Sequence, residues 1–206
     1  VRPAKVVVIG AGNVGYNAAW IAAGMQAEVI ILDKNLDRLR YIEQICIGRT
    51  TTLASNRGAI ERVLADADLL IGAVLVAGAR APIVVSEDMV RSMKRGSVIV
   101  DVAVDQGGCI ATTHETTHTE PVYETHGVIH YAVGNMPGAV PNTSTYALTN
   151  ATLPYQLQVA TLGARGAAAN SESIRLGVNT ANGHITSEPV ARELNAKFVS
   201  PEDALA

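Results

Sequence analysis

Residues 5–15, KVVVIGAGNVG, and the acid that answers them, Asp33 at the end of EVIILD (28–33), decide the fold. KVVVI is a continuous apolar run that stops at glycine, the pattern of a strand buried on both faces of a parallel sheet. NVGYNAAWIAAGM (13–25) reads as an Ala-rich helix, and EVIILD as a second buried strand. Gly10, Gly12 and Gly15 therefore fall at a strand-to-helix turn. Gly10 permits the tight turn, Gly12 lets a pyrophosphate approach the backbone, and Gly15 lets the helix pack close to the strand. The free N–H groups of the helix start, at the positive end of its dipole, suit a diphosphate. Asp33 suits the ribose hydroxyls. Its charge repels a 2′-phosphate and favours NAD over NADP, with Lys34 and Arg38 nearby pulling the other way.

Outward from this unit the alternation continues. Leu36 to Ile45 spaces its apolar residues as a helix with Asn35 as cap, and strands are expected over 50–53, 69–76, 97–104 and 128–133. Helices are expected over 57–67 and 86–93, the second capped by Ser86. The fold class expected is α/β: a Rossmann-type doubly wound parallel sheet, followed by a C-terminal helical segment. Beyond Asn135 the pattern changes. Residues 143–162 read as one long helix, kinked or split at Pro154, with shorter helices over 172–176 and 188–194 and a polar surface tail, PEDALA. The expected domains are 1–135, binding the dinucleotide, and 136–206, the helical segment.

Composition narrows the class of protein. The chain of 206 residues can bury one core, or one domain and part of another. A hydrophobic share of 48% against 17% charged residues argues against disorder. A net charge of -3, no basic cluster and only 4% aromatic residues argue against nucleic acid as a partner. Cys46 and Cys109 lack C-x-x-C spacing, which points to a reducing, cytoplasmic setting. The start at Val1 resembles neither a signal peptide nor a transit sequence, and no stretch reaches the roughly 18 apolar residues of a membrane span. Residues 125–164 contain no Asp, Glu, Lys or Arg, and burial or contact with a ligand or subunit accounts for them better than lipid does.

In open α/β sheets ligands sit outside the carboxyl ends of the strands. There this chain carries GAVLVAGARAP (72–82), DVAVDQGGC (101–109) and GNMP (134–137), whose small residues leave backbone accessible while Asp105 and Asn135 supply polar anchors. Asp101, within an apolar strand, reads as structural and bonded to neighbouring backbone. Asp105 is as well explained, on its residues alone, as a loop carboxylate capping local N–H groups. His114 to His118 spells H-E-x-x-H, but zinc chemistry needs both histidines one helical turn apart, and TTHETTHTEP is a poor helix. No metal is expected. His126 and His130 share the same spacing across a strand, where packing or a hydrogen bond suffices, and Cys109 reads as a small buried thiol.

The same stretches resemble a family. GAVLVAGARAP, VIVDVAVDQGGC (98–109), GNMPGAVP (134–141) and TSTYALTNATLPY (143–155), with the glycine motif and LDKNLDRLRY (32–41), are similar to alanine dehydrogenase from about Lys5 to the end of the chain. The soluble NAD-binding component of proton-translocating transhydrogenase is a less close resemblance. The resemblance implies an NAD-dependent oxidoreductase of L-alanine catabolism that reversibly deaminates L-alanine to pyruvate and ammonia, hydride passing between the alanine Cα and nicotinamide C4. It implies Asp33, Arg38 and Ser55 at the adenosine end, Gly10, Gly12, Asn13, Val14 and Gly15 at the diphosphate, and Val74 and Leu75 beside the inner ribose. It implies Val102, Ala103, Val104, Asp105, Val133, Gly134, Asn135 and Met136 around the nicotinamide. Asp105 matches the family's acid/base aspartate, which assists proton transfer as the imine adds water and releases ammonia. A cytoplasmic homo-oligomer, a hexamer, is also implied.

Two departures accompany the resemblance. His114 stands where relatives often carry a cofactor-contacting cation. The family's substrate-binding arginine and lysine and its catalytic histidine lie upstream of the glycine motif, so the chain is expected to hold the cofactor half of the site and to be inactive alone. The alternatives are a non-catalytic NAD-binding module or transhydrogenase-like component, and a metal-dependent hydrolase built on the His114 motif.

Overall fold

The computed structural model describes residues 1–46, 50–76 and 78–205. Ala77, in the loop expected to follow the fourth strand, and Ala206, of the tail, lie outside the described residues. The first of two units comprises Val1–Val76 and Arg80–Met136. Its elements run β1 (Lys5–Ile9), α1 (Asn13–Gly24), β2 (Glu28–Asp33), α2 (Leu36–Ile45), β3 (Thr50–Ala54), α3 (Arg57–Leu64), β4 (Leu69–Gly72), α4 (Glu87–Arg91), β5 (Val98–Asp101), β6 (Val122–Thr125) and β7 (Val128–Tyr131). One sheet orders them β3-β2-β1-β4-β5-β7-β6. All pairs are parallel except the β6–β7 hairpin. This is the doubly wound order, with its topological switch point between β1 and β4.

The apolar runs are continuous because both sheet faces are covered. Val7, Ile9, Ile30, Leu32, Leu70 and Ile99 pack with Ile60, Val63, Leu64, Met89 and Val90 of α3 and α4. Val6, Val8, Val29 and Ile31 face the other way, onto Ala19, Leu39 and Ile42 of α1 and α2. Alternate residues of one strand thus feed two cores, and each fully buried Val, Leu or Ile contributes about 1.5–3 kcal/mol.

The hairpin corrects the sequence reading, which placed no strand at β6. Val122 pairs with Tyr131 and Thr125 with Val128, leaving His126 (φ 58) and Gly127 (φ 79) as a two-residue turn with both φ positive. That geometry matches the twist of antiparallel strands. His130 is fully buried on β7. Its Nδ1 lies 2.9 Å from the Val128 carbonyl and so carries the proton, leaving Nε2 to accept from the Thr112 hydroxyl at 2.8 Å. Burial, reinforced by His114 and His126, holds this imidazole below its ordinary 6.5.

A pH dependence follows. Between the folded-state pKa and 6.5 the unfolded chain binds the proton first, so stability is complete above pH 6.5 and falls as pH drops below it. Thermal melts should show a transition temperature that declines below about pH 6.5, with the slope reduced in His130→Gln. An unchanged slope in the variant would exclude His130 as the titrating group.

The second unit, residues 78–79 and 137–205, comprises α5 (Pro141–Asn170), α6 (Glu172–Gly177), a short ladder of β8 (Thr180–Ala181) and β9 (His184–Ile185), α7 (Glu188–Glu193) and α8 (Pro201–Leu205). The expected break at Pro154 is displaced. Helical geometry continues through Pro154 and fails at Gly163, with φ 69 and ψ 170. Proline only removes the bond to the carbonyl of Asn150, on an exposed stretch open to water, whereas Gly163 adopts dihedrals that L side chains avoid. The tail is also corrected: Pro201 and Ala204 are buried, and Asn182 Nδ2 donates to the Ala204 carbonyl at 2.7 Å. Along α5, Tyr146, Leu148, Leu153, Tyr155, Leu157, Val159 and Leu162 are exposed in this chain. No helix among the described residues is long and apolar enough to cross a membrane.

Candidate functional site

At the carboxyl ends of β1, β2 and β4 lies a cleft of about 630 Å³. Gly10, Gly12, Asn13, Val14, Asp33, Arg38, Ser55, Val74 and Leu75 line it, together with Ile9, Leu32, Lys34, Asn35, Ala73, Val76, Pro82 and Val84. The geometry of each glycine differs. Gly10 turns with φ +104, and a Cβ there would run into the Ala73 carbonyl, whose carbon lies at 2.7 Å. Gly15 is buried behind the cleft, where a Cβ would overlap the Gly10 carbonyl. At Gly12 a Cβ would meet nothing within 4 Å. That open side of the backbone is where a bulky ligand can approach, as the fingerprint requires.

The helix starts make the same distinction. Asn35, Asn56 and Ser86 cap α2, α3 and α4 by accepting backbone N–H bonds. Gly12 precedes α1 with no side chain to do so and no acid in its first turn. The first N–H groups of α1 therefore face the cleft without a side-chain acceptor, the arrangement that suits an anion at a helix N-terminus.

Asp33 ends β2 beside the glycine turn. Its Oδ2 accepts the Ala11 N–H at 2.6 Å and its Oδ1 the Asn35 N–H at 2.7 Å. Arg38 reaches the same residue, Nη1 donating to the Ala11 carbonyl at 3.4 Å. The carboxylate thus holds the glycine turn while keeping lone pairs for a ligand, since two carboxylate oxygens offer about four acceptor sites. The 22-residue separation of Ala11 and Asp33 hides this bond from local sequence patterns.

The remaining sequence-derived positions lie outside this cleft's lining. Val102, Ala103, Val104 and Asp105 follow β5, the last two in a short 3-10 turn over Val104–Gln106. Ala103 and Val104 bury their side chains, and Asp105 is exposed. Val133, Gly134, Asn135 and Met136 follow β7, with Val133 buried and Asn135 exposed at φ 55. Both segments continue from carboxyl ends of the sheet on which the glycine turn sits. Sequence reasoning assigned no role to Pro82 and Val84. They line the cleft because the chain after β4 returns across its mouth, with the Val84 N–H on the Cys109 carbonyl.

Three motifs set aside from the sequence have ordinary partners. Thr116 pairs with Val133 in a parallel bridge, so His114 to His118 does not form the helix that the zinc motif needs. His114 stacks on Tyr123 with centroids 3.9 Å apart, and His118 Nε2 lies 3.1 Å from the Asn135 carbonyl. Tyr123 in turn stacks on His130 and donates its hydroxyl to the Thr112 carbonyl. Cys109 is fully buried, and burial followed by the Asp101 carboxylate pushes its thiol up to about 12, which removes it as a nucleophile near neutral pH.

Fold and cleft together define a Rossmann-type domain with a dinucleotide fingerprint at its switch point. Comparison with known proteins is specific beyond this class. The family model for the alanine dehydrogenase/PNT C-terminal domain matches residues 1–188, and the chain belongs to that family. It is 57% identical to alanine dehydrogenase of Bacillus subtilis over 202 residues, covering 98% of this chain and 53% of the relative. It is 54% identical to alanine dehydrogenase of Methanococcus maripaludis over 206 residues, covering 100% and 55%. The chain thus spans about half the length of the curated relatives it matches. Among solved structures it is similar to an L-alanine dehydrogenase with TM-score 0.83 and 49% identity, over 95% of this chain and 54% of the other. A transhydrogenase from Sinorhizobium meliloti gives TM-score 0.63 and 28% identity, over 71% and 41%.

Proposed function

We propose that this chain is the NAD-binding part of an alanine dehydrogenase, an NAD-dependent oxidoreductase that reversibly deaminates L-alanine to pyruvate and ammonia. The observation that carries this is the 57% identity to an alanine dehydrogenase across 98% of the chain, against 28% to the transhydrogenase structure. Residues 1–135 serve as the NAD domain, and residues 136–206 belong to the substrate domain. NAD fits the residues present: the open backbone at Gly12, the α1 start without a side-chain cap and the Asp33 carboxylate address the diphosphate and the ribose. Asn13 and Val14 lie along the diphosphate, Arg38 and Ser55 at the adenosine end, and Val74 and Leu75 by the inner ribose. The bound nicotinamide supplies the hydride acceptor. Asp105, exposed on its turn, assists proton transfer as the imine adds water and releases ammonia, with Val102–Val104 and Val133–Met136 framing the ring. The many apolar side chains exposed along α5 favour a homo-oligomeric assembly, and the free thiols fit a cytoplasmic setting.

Two measurements test this. Calorimetric titration of the chain should show NAD binding, weaker for NADP, and a folded protein that binds neither would end the proposal. A polypeptide that adds the upstream half found in the relatives should form NADH in the presence of L-alanine. NAD binding without that activity would favour a non-catalytic or transhydrogenase-like module.

A further inference from the structure

We propose that Asp101 is a positioning residue for the segment assigned to the nicotinamide, an inference that rests on the NAD reading above. Asp101 closes β5, pairs in register with Gly72 and is fully buried. Its Oδ1 accepts the Ala103 N–H at 3.1 Å and lies 3.5 Å from the Cys109 thiol. Its Oδ2 accepts the Cys109 N–H at 2.9 Å and the Ile110 N–H at 3.3 Å, and the single Thr113 hydroxyl proton lies between Oδ2, at 2.7 Å, and the Ile110 carbonyl, at 2.8 Å, with the charged oxygen the stronger acceptor. These donors come from both ends of one excursion of the chain. Between them runs the turn that carries Asp105.

The carboxylate is the centre on which that turn is closed. A side chain that only accepts is required, because every group aimed at it is a donor; an amide would place an N–H against another N–H. The chain packs tightly enough that Gly108, at φ +72, leaves no room for a Cβ, which would lie 2.9 Å from Asp101 Oδ2 and 2.8 Å from Thr113 Oγ1. Gly72 is equally confined, a Cβ there lying 2.6 Å from Cys109 Sγ and 3.3 Å from Asp101 Oδ1. With its acceptor sites taken by the protein, Asp101 acts through Val102–Asp105 rather than by touching a ligand.

The experiment compares two probes on the same chain: NADH, and ADP-ribose, which lacks only the nicotinamide. In Asp101→Asn, NADH binding should weaken by about tenfold or more while ADP-ribose stays within about twofold of the unsubstituted chain. Thr113→Val removes a single donor at nearly constant shape and should show the same selective loss to a smaller extent, while Thr113→Ser keeps the hydroxyl and should bind both probes normally. The Thr113 pair also decides the matter if Asp101→Asn does not fold. Equal losses for both probes, or no loss of NADH binding in Thr113→Val, would overturn the proposal. If the unsubstituted chain binds ADP-ribose no less tightly than NADH, the nicotinamide assignment of this segment falls and the proposal with it, whereas failure to bind either probe would overturn the NAD reading itself.

Discussion

Gly12→Ala is expected to leave the melting temperature within about 2 °C of the unsubstituted chain and to weaken NAD binding on the order of 100-fold. Gly12 has φ -71 and ψ -171, dihedrals open to alanine, and the added methyl meets no protein atom within 4 Å. The fold therefore has no reason to resist it. The methyl instead occupies the approach of the diphosphate to the backbone N–H groups at the start of α1. Losing two charge-assisted hydrogen bonds of about 1.5 kcal/mol each gives the stated factor. Gly15→Ala provides the opposite case. Its Cβ would overlap the Gly10 carbonyl oxygen and lie 2.9 Å from the carbonyl carbon and 3.3 Å from Val8 Cγ1, so α1 has to move off β1. Overpacking of backbone against backbone should cost about 3 kcal/mol, a fall of roughly 6–12 °C. Thermal melts and titrations of both variants separate the roles. Normal NAD binding by Gly12→Ala, or a normal melt for Gly15→Ala, would contradict the glycine turn described above.

The parts of the fold legible in the sequence are those where one local pattern had one physical cause. Residues 5–33 were readable because two strands buried on both faces leave unbroken apolar runs, and Gly10 and Gly15 mark where backbone meets backbone. Strand ends were less legible. β4 was expected to run to Val76 but stops at Gly72: the Ala73 N–H makes the last ladder bond, to the Ile9 carbonyl, and β1 ends there and turns at Gly10, leaving the residues after Ala73 no strand to pair with on that side. β6 escaped notice because VYET alternates exposed and half-buried residues at the sheet edge, although His126-Gly127 before an apolar run was a usable turn signal. In α5 proline drew attention away from Gly163, since the cost of each depends on solvent and dihedrals rather than residue type. The lone Asp101 among valines and isoleucines did signal a bonded carboxylate, but not that its partners extend as far as Thr113. In the cleft, the glycines and Asp33 follow from spacing, whereas Pro82 and Val84 arrive through a return of the chain that no period encodes.

Asp33→Ala is expected to weaken NAD binding by more than 100-fold, the largest loss of any single side chain in the cleft. The carboxylate has two tasks that alanine cannot share. It accepts the Ala11 N–H at 2.6 Å, which fixes the glycine turn against β2, and it offers its remaining lone pairs to the ribose hydroxyls. Asp33→Asn separates the two. The amide keeps one acceptor oxygen and the volume, so the turn is partly held, while the charge that repels a 2′-phosphate is gone. NAD affinity should fall by about tenfold, and the preference for NAD over NADP should shrink because Lys34 and Arg38 still line the cleft beside the adenosine end. Titrating NAD and NADP into both variants reads out affinity and preference independently. If the NADP-to-NAD ratio of Asp33→Asn matched that of the unsubstituted chain, discrimination would lie elsewhere in the cleft and Asp33 would be a brace for the turn alone. If Asp33→Ala bound NAD normally, the ribose would not sit at the end of β2, and the orientation of the dinucleotide along the sheet would have to be reversed.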